Sequence, residues 1–475
     1  MNIGAAVLKR QGNWDDFARL PATVCLLIAT ACAIARQFGV EDWLSIPAAA
    51  ALLVFIALQW QGITTTYRIF SVVTPGLATA LWLSDKIDGQ TIANGVDRAA
   101  FFTFFLTSLA VLRESAKSSA LVRECGKVLV NQPPARRYML MSFGSHLFSV
   151  MLNIGALNVL GTMVQRAVRI TGGDDAQRLA SIRKKRMLTA TLRGFCGVPL
   201  WAPTSVTMLL VLSSLPQLTW EQYAPVGLAW TVLFILWGGL LDWLAYPRPR
   251  TTQVIGRNLS VLVPFVALVG LIPTLAYFLS RITSLDIFPM LLLCAPVIGI
   301  IWIWYQYRRA DQWLRLRLVF RRMKRSFPKT FTAQRNEVVL FASSGFLGVI
   351  LIPLVDPEIA RNFLVYANVS NATIMVSVSL IMLTCSFMGI NAIITVTLLL
   401  GTLQQVPDLD IAPIIQASVV AITWAVFAGA SPFTASLRFI AGFSGVSALR
   451  LGVVWNGWFN VSVLAIMYMV LYIML

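Results

Sequence analysis

Residues 138–214 read YMLMSFGSHLFSVMLNIGALNVLGTMVQRAVRITGGDDAQRLASIRKKRMLTATLRGFCGVPLWAPTSVTMLLVLSS, and their reading decides the fold. They open with an apolar segment, Met139 to Val164, pass through a strongly basic stretch, and end in an apolar run interrupted at Trp201-Ala202-Pro203-Thr204-Ser205. A second stretch, from about Tyr366 to Ser447, has the same parts in the same order. Asn391 answers Asn153, and Ala430-Ser431-Pro432-Phe433-Thr434 answers the first interruption. The rest of the chain reads as a frame for these two units.

Composition sets the environment. The 475 residues are 57% apolar and 12% charged, whereas soluble domains carry about twice that charge fraction. Apolar runs long enough to span ~30 Å of hydrocarbon recur along the whole length, and lipid leaves an unpaired backbone few alternatives to a helix. The expected class is an all-α polytopic membrane protein. The net charge of +18 would suggest nucleic acid in a soluble protein; here most of it falls between apolar segments, where basic residues mark the cytoplasmic side. No nucleic-acid partner is expected. Six cysteines (Cys25, Cys32, Cys125, Cys196, Cys294, Cys385) lack pairing or metal-type spacing and read as small core residues. No cleavage site follows the first apolar run, so an uncleaved cytoplasmic start is expected.

Apolar segments at roughly 21–35, 43–60, 68–83 and 99–112 bring the chain back inside, to Arg113, Lys117, Arg123, Lys127, Arg136 and Arg137. Met139 to Val164 should then cross outward, yet it reaches Arg166, Arg169, Arg178, Arg183, Lys184, Lys185 and Arg186. Two basic loops flank one apolar segment. At about 1.5 Å per residue it cannot cross twice, but it can enter and return as a re-entrant hairpin, with Gly144, Asn153 and Gly155 suited to its tip. Crossings at 190–214, 224–244, 258–280, 286–306 and 337–355 follow, with basic loops at Arg248, Arg250 and Arg257 and at 308–335, and acidic outer residues at Asp356 and Glu358. Residues 365–404 begin outside and end outside beside Asp408 and Asp410, and so form a second, outward-rooted hairpin or two crossings; 412–446 returns through a break, and 449–475 ends outside.

The expected total is about 11 transmembrane helices plus two re-entrant hairpins. Residues 1–42 form an N-terminal segment and first helix, 43–250 a first repeat and 251–475 a second. Five crossings per repeat force opposite orientations, the inverted-topology plan of secondary transporters. Gly227-Leu-Ala-Trp230 after the first break echoes Gly452-Val-Val-Trp455 after the second, and Gly161-Thr162-Met163 echoes Gly401-Thr402-Leu403.

Broken helices place freed amides, helix N-termini and carbonyls at mid-membrane, where they attract anions and Na⁺. The candidate substrate-binding residues are Asn153, Thr204, Ser205, Asn391, Ser431, Thr434 and Arg438; the candidate ion-binding residues are Ser149, Asn153, Ser386, Gly389 and Asn391. Ser145, Thr207 and Ser436 lie beside them. Serine and threonine in membrane helices more often bond a backbone carbonyl. Of the two arginines near the breaks, Arg438 is favoured as a substrate partner, while Arg193, after a basic loop, reads as an interfacial residue that snorkels. His146 reads as a proton relay or a hydrogen-bonded structural residue, and Asp242 as half of an ion pair at a helix end. Gly172-Gly173-Asp174 is a turn. The basic block at 308–335, interleaved with Trp313, Leu314, Leu316, Leu318 and Phe320, reads as an amphipathic helix on anionic lipid. No metal cluster, phosphate loop or nucleophile triad is visible, and no cofactor is expected beyond Na⁺ as a possible coupling ion.

This arrangement resembles the ion transporter superfamily, and within it the divalent anion:sodium symporters. Their hairpin tips carry a Ser-Asn-Thr signature; Met151-Leu152-Asn153-Ile154 and Gly389-Ile390-Asn391-Ala392 keep the asparagine. The resemblance covers nearly the whole chain in architecture and spacing. It implies a dimeric scaffold past which hairpins and broken helices slide as one body, the elevator mechanism. Arsenite exporters, the membrane subunit of tripartite periplasmic transporters and Na⁺/H⁺ antiporters share the plan, so the fold does not name the substrate.

The expectation is therefore a homodimeric secondary transporter in the bacterial inner membrane, N-terminus cytoplasmic and C-terminus periplasmic. It would move a small anion such as a dicarboxylate, coupled to Na⁺ or H⁺. Matched positive helix ends, Arg438 and the scarcity of acidic residues in apolar segments favour an anion. The rivals are a membrane subunit of a multi-component transporter and a membrane-embedded polysaccharide polymerase or assembly factor, which usually places a long polar loop outside. The outer loops expected here are short.

Overall fold

The computed structural model describes residues 3–40, 42–168, 173–246, 258–283, 285–354, 358, 369–406 and 409–475, with side chains of the first helix from Phe17 onward. The turn at Gly172, the loop residues Arg169, Arg248, Arg250 and Arg257, the outer residues Asp356 and Asp408, and the start of the second hairpin at Tyr366 lie outside the described residues. Nineteen α-helices and no strand occur among the described residues. Nine candidate spans are long and apolar enough to cross a membrane, and the chain is a polytopic membrane protein.

Four helices come first: α1 (Ile3–Gln37), α2 (Ser45–Gln59), α3 (Thr65–Leu83) and α4 (Gly89–Lys117). Then follow α5 (Ala120–Val130), α6 (Pro134–Leu152), α7 (Ile154–Ala167), α8 (Asp174–Cys196), α9 (Val206–Ser214), α10 (Trp220–Ala245) and α11 (Val263–Thr283). The second half holds α12 (Ile287–Gln306), α13 (Gln312–Ala333), α14 (Arg335–Ile350), α15 (Asn371–Phe387), α16 (Ala392–Leu403), α17 (Pro413–Ala430), α18 (Ala435–Ser444) and α19 (Gly457–Met474).

Two of the eleven expected crossings are not among the nine spans. The segment at 68–83 is helical as α3, but Arg68, Thr65, Thr66, Ser71, Thr74 and Thr79 dilute its apolar character. The segment at 190–214 is divided by its own break, which leaves α9 nine residues long. The basic stretch before it is helix rather than loop: α8 begins at Asp174, and Asp174 and Asp175 complement the positive end of its dipole.

The chain forms two compact units, residues 1–115 with 275–360 and residues 116–274 with 361–475. In the first, α1 packs on α2 and α3 on α14. Helix α4 is its buried member, with Phe102, Phe104 and Phe105 at 1% exposure or less. Polar ties hold its ends: Arg36 pairs with Asp97 at 2.9 Å, and Thr30 and Thr107 share a 2.9 Å hydroxyl contact. Near its C-terminus, Gln306 donates to Ser115 O at 2.8 Å, and Arg322 donates to Gln306 Oε1 and Glu114 O. These bonds seat α13 beneath α4 and α12. Trp313 and Phe320 remain 74% and 69% exposed, with Arg317, Arg321, Lys324 and Arg325 also on the outside.

The second unit holds both stretches singled out from the sequence. Helix α6 packs on α8, and α15 on α17. Gly194 of α8 lies so close to Ser142 O that no side chain fits between them. That contact brings α6 against the last turns of α8.

Candidate functional site

The first half is built around two interruptions. Helices α6 and α7 are joined by Asn153 alone, a non-glycine residue at φ 52°, whose side-chain oxygen accepts from Ile154 N at 2.8 Å and caps α7. With ψ at −134° Asn153 lies outside the left-handed helical region that asparagine otherwise tolerates, so its backbone is held in a sparsely populated conformation. The two glycines expected at the tip are helical instead: Gly144 lies within α6 against Leu129, and Gly155 in the first turn of α7. The second interruption runs from Gly197, through a short 3₁₀ turn at Val198–Leu200, to Ser205, which caps α9 by accepting from Met208 N at 3.2 Å.

Hydroxyls stitch these two interruptions together. Thr204 donates to Val150 O at 2.7 Å and Ser145 to Thr191 O at 2.7 Å, while Ser149 donates back to Ser145 O within α6. Thr207, in the first turn of α9, has a buried hydroxyl with no hydrogen-bond partner among the described residues. His146 accepts from Trp201 Nε1 at 3.0 Å through Nε2, so its proton sits on Nδ1 and faces Gly194 O at 3.3 Å. Both ring nitrogens are engaged in holding the break against α6, a structural part.

The second half repeats the construction. Asn391 caps α16 by accepting from Ile393 N at 2.9 Å, and Gly389 before it takes φ 79° against the Phe433 ring. Helix α17 stops at Ala430 and α18 starts at Ala435. Ser431 donates to Ser386 O at 2.7 Å, as Thr204 does to Val150 O. Thr434 donates to Ser431 O at 2.8 Å and Ser436 to Ala428 O at 2.6 Å.

The two halves meet within this unit. Helix α7 packs on α18 and α9 on α16, so the helix after each capping asparagine meets the short helix beyond the other half's break. Gln217 donates to Gln404 at 2.7 Å just past the C-terminal ends of α9 and α16. The two glycines echoed in the sequence serve the same end. Gly227 abuts Leu200 O in the first break, and Gly452, in a wide π-type turn at Arg450–Trp455, abuts Ala430 O in the second. Neither has room for a side chain.

The arginines differ from the sequence-based expectation. Arg193 is 7% exposed rather than snorkelling. It donates to Asn456 Oδ1 at 2.8 Å, Tyr138 Oη at 2.9 Å and Gly238 O at 3.3 Å, and its guanidinium stands 4.2 Å from the Phe459 ring centroid. Arg438 is exposed; it donates to Pro432 O at 3.1 Å and lies over Phe433. Asp242 has its expected partner, Arg186, at 2.6 Å. Tyr138, Asn456 and Gly238 carry no local sequence signal, since each meets Arg193 only through the fold. Among the described residues no cluster of metal-ligating side chains occurs.

No family model matches the chain, and no curated protein matches it. Among solved structures, 16 chains match. One is the YdaH transporter of Alcanivorax borkumensis, whose crystal structure is described as revealing an unusual topology. It is 12% identical, and the likeness covers 85% of this chain and 97% of that one at a TM-score of 0.45.

Proposed function

We propose that this protein is a secondary transporter that carries a small anion across the membrane by an elevator movement, with the two hairpins and two broken helices as the moving body. The observation that carries the reading is the matched construction of the two halves. An asparagine-capped hairpin leg and a hydroxyl-stitched helix break recur in the same order, and each leg packs against the other half's short helix.

A binding site follows from the backbone chemistry. Helices α7, α9, α16 and α18 each begin at an interruption, and a helix start carries roughly +0.5 of an elementary charge with unpaired amides. Asn153, Thr204, Ser205, Asn391, Ser431 and Thr434 are the polar side chains at those starts. The unpartnered Thr207 hydroxyl adds a buried group in want of a bond. Positive helix ends and the Thr207 hydroxyl suit a small carboxylate or another oxyanion. The inverted orientation of the two halves gives two equivalent routes to one site, which is what alternating access requires.

The test is the thermal stability of the purified protein against di- and tricarboxylates, sulfonates, sulfate and arsenite. An anion present at 100 times its dissociation constant stabilises the folded state by about 2.7 kcal/mol. A saturable shift with one anion class, lost in Asn153→Ala with Asn391→Ala, is the expected result. A panel without any shift would overturn the reading.

A further inference from the structure

We infer that Arg193 is a built-in counter-cation for the two broken helices. It holds the position that a coupling Na⁺ takes in carriers of this construction, so that anion binding here needs no Na⁺. The inference rests on the transporter reading above and specifies its coupling.

Helices α8 and α17 end at the two breaks, at Cys196 and Ala430. Each end is the negative pole of a helix dipole, roughly −0.5 of an elementary charge. The ends lie together: a Cβ on Gly429 would meet Cys196 Sγ and Asn456 Nδ2, each at 3.2 Å. About one negative charge is thus gathered inside the protein. Broken-helix carriers answer such a charge with Na⁺ held by helix C-terminal ends and freed carbonyls. Here one guanidinium answers it.

Arg193 sits in the last turn of α8, and its described hydrogen-bond partners are all neutral: an amide oxygen, a phenol and a backbone carbonyl. Asn456 carries the tie onward, donating to Gly429 O at 3.2 Å in the last turn of α17. Asp242, one turn beyond Gly238 on α10, is held by two nitrogens of Arg186 at 2.6 and 3.1 Å. One full positive charge against two half-charges is balanced; a carboxylate partner would leave the helix ends unanswered. The carbonyls a metal ion would need are also engaged. Gly194 O receives His146, Thr191 O receives Ser145, and Ala428 O receives Ser436 and Thr434.

The experiment measures thermal midpoints of the full-length purified protein in NaCl, LiCl, methylguanidinium chloride and choline chloride at equal ionic strength. The wild type should melt alike in Na⁺ and choline. Arg193→Ala should melt several degrees lower in choline and recover part of that loss, saturably, with Na⁺ or methylguanidinium. Arg193→Lys keeps the charge and should be as indifferent to Na⁺ as the wild type. Asn456→Asp puts a carboxylate on the guanidinium, cancels its charge and should create a Na⁺ response in a chain that retains Arg193. If Arg193→Ala does not fold, Asn456→Asp and radioactive sodium binding to the wild type decide the matter. Saturable Na⁺ stabilisation of the wild type, or neutralised variants indifferent to every small cation, would overturn the inference. None of these readouts needs a transported anion. A silent anion panel beside a cation-responsive Arg193→Ala would therefore sink the transport reading alone.

Discussion

Thr204 follows the proline of the first break and Ser431 precedes that of the second, yet they do the same thing, each donating at 2.7 Å to a carbonyl near the end of the helix before the capping asparagine, Val150 O or Ser386 O. Removing the Thr204 hydroxyl leaves the buried Val150 O without its described donor, which costs about 1–3 kcal/mol, whereas Ser386 O keeps a bond from Gly389 N at 3.2 Å. Thr204→Val should lower stability by that amount and Ser431→Ala by the smaller worth of one hydrogen bond, about 0.5–1.5 kcal/mol, with the double variant losing their sum, since neither shares a partner with the other. Chemical denaturation in detergent would read this; strong coupling between the two would mean the halves are not built independently. The polar residues of the breaks were legible because proline, asparagine and hydroxyls interrupt apolar helices for local reasons. The arginines were not. Distance along the chain from a break says nothing about which face of a helix a side chain takes, and Arg193 is buried because Gly194, beside it, draws α6 onto α8 while Asn456 meets it from 263 residues away.

Elements make the repeated pattern physical. Gly227 and Gly452 are unremarkable as residues, but each lets a helix or a π-type turn close on a carbonyl at a break, Leu200 O or Ala430 O. Gly227→Ala and Gly452→Ala should each destabilise by roughly 1–3 kcal/mol through overpacking. Gly442→Ala is the control: it lies within α18 with open space around it, and alanine there should be neutral or stabilising by up to ~1 kcal/mol. Thermal midpoints of the three variants check both statements, and equal loss at all three would remove the special role of the first two. Helix α13 makes a different prediction. Its Trp313 and Phe320 are exposed while Arg315 and Arg322 turn back to the protein. Arg317, Arg321, Lys324 and Arg325 are left for an anionic leaflet at about 1 kcal/mol each. Replacing these four by glutamine should reduce the anionic lipid retained on native mass spectrometry; unchanged retention would show that the helix does not read lipid charge.

For the molecule as a whole, neither compact unit is continuous in the chain. Each unit draws one segment from the first half of the chain and another from the second. Both breaks lie in the same unit. The topology argued from basic residues puts the region 165–189 inside. Ser181→Cys, at an exposed position of α8, in a background without the native cysteines, should react with an impermeant thiol reagent only from the cytoplasmic face. Labelling from the opposite face would reverse the orientation and remove the case for a re-entrant first hairpin. By itself the sequence determined the membrane class, the two interrupted apolar stretches and their shared order, because apolar length, basic loops and helix-breaking residues act over a turn or two of chain. Only the tertiary structure decided that Arg193 rather than Arg438 is the buried cation, that Gly227 and Gly452 face carbonyls, and that the helix after each capping asparagine meets the other half's short helix. Those outcomes depend on how helices rotate and which distant partners they meet, and no local pattern in the chain encodes that.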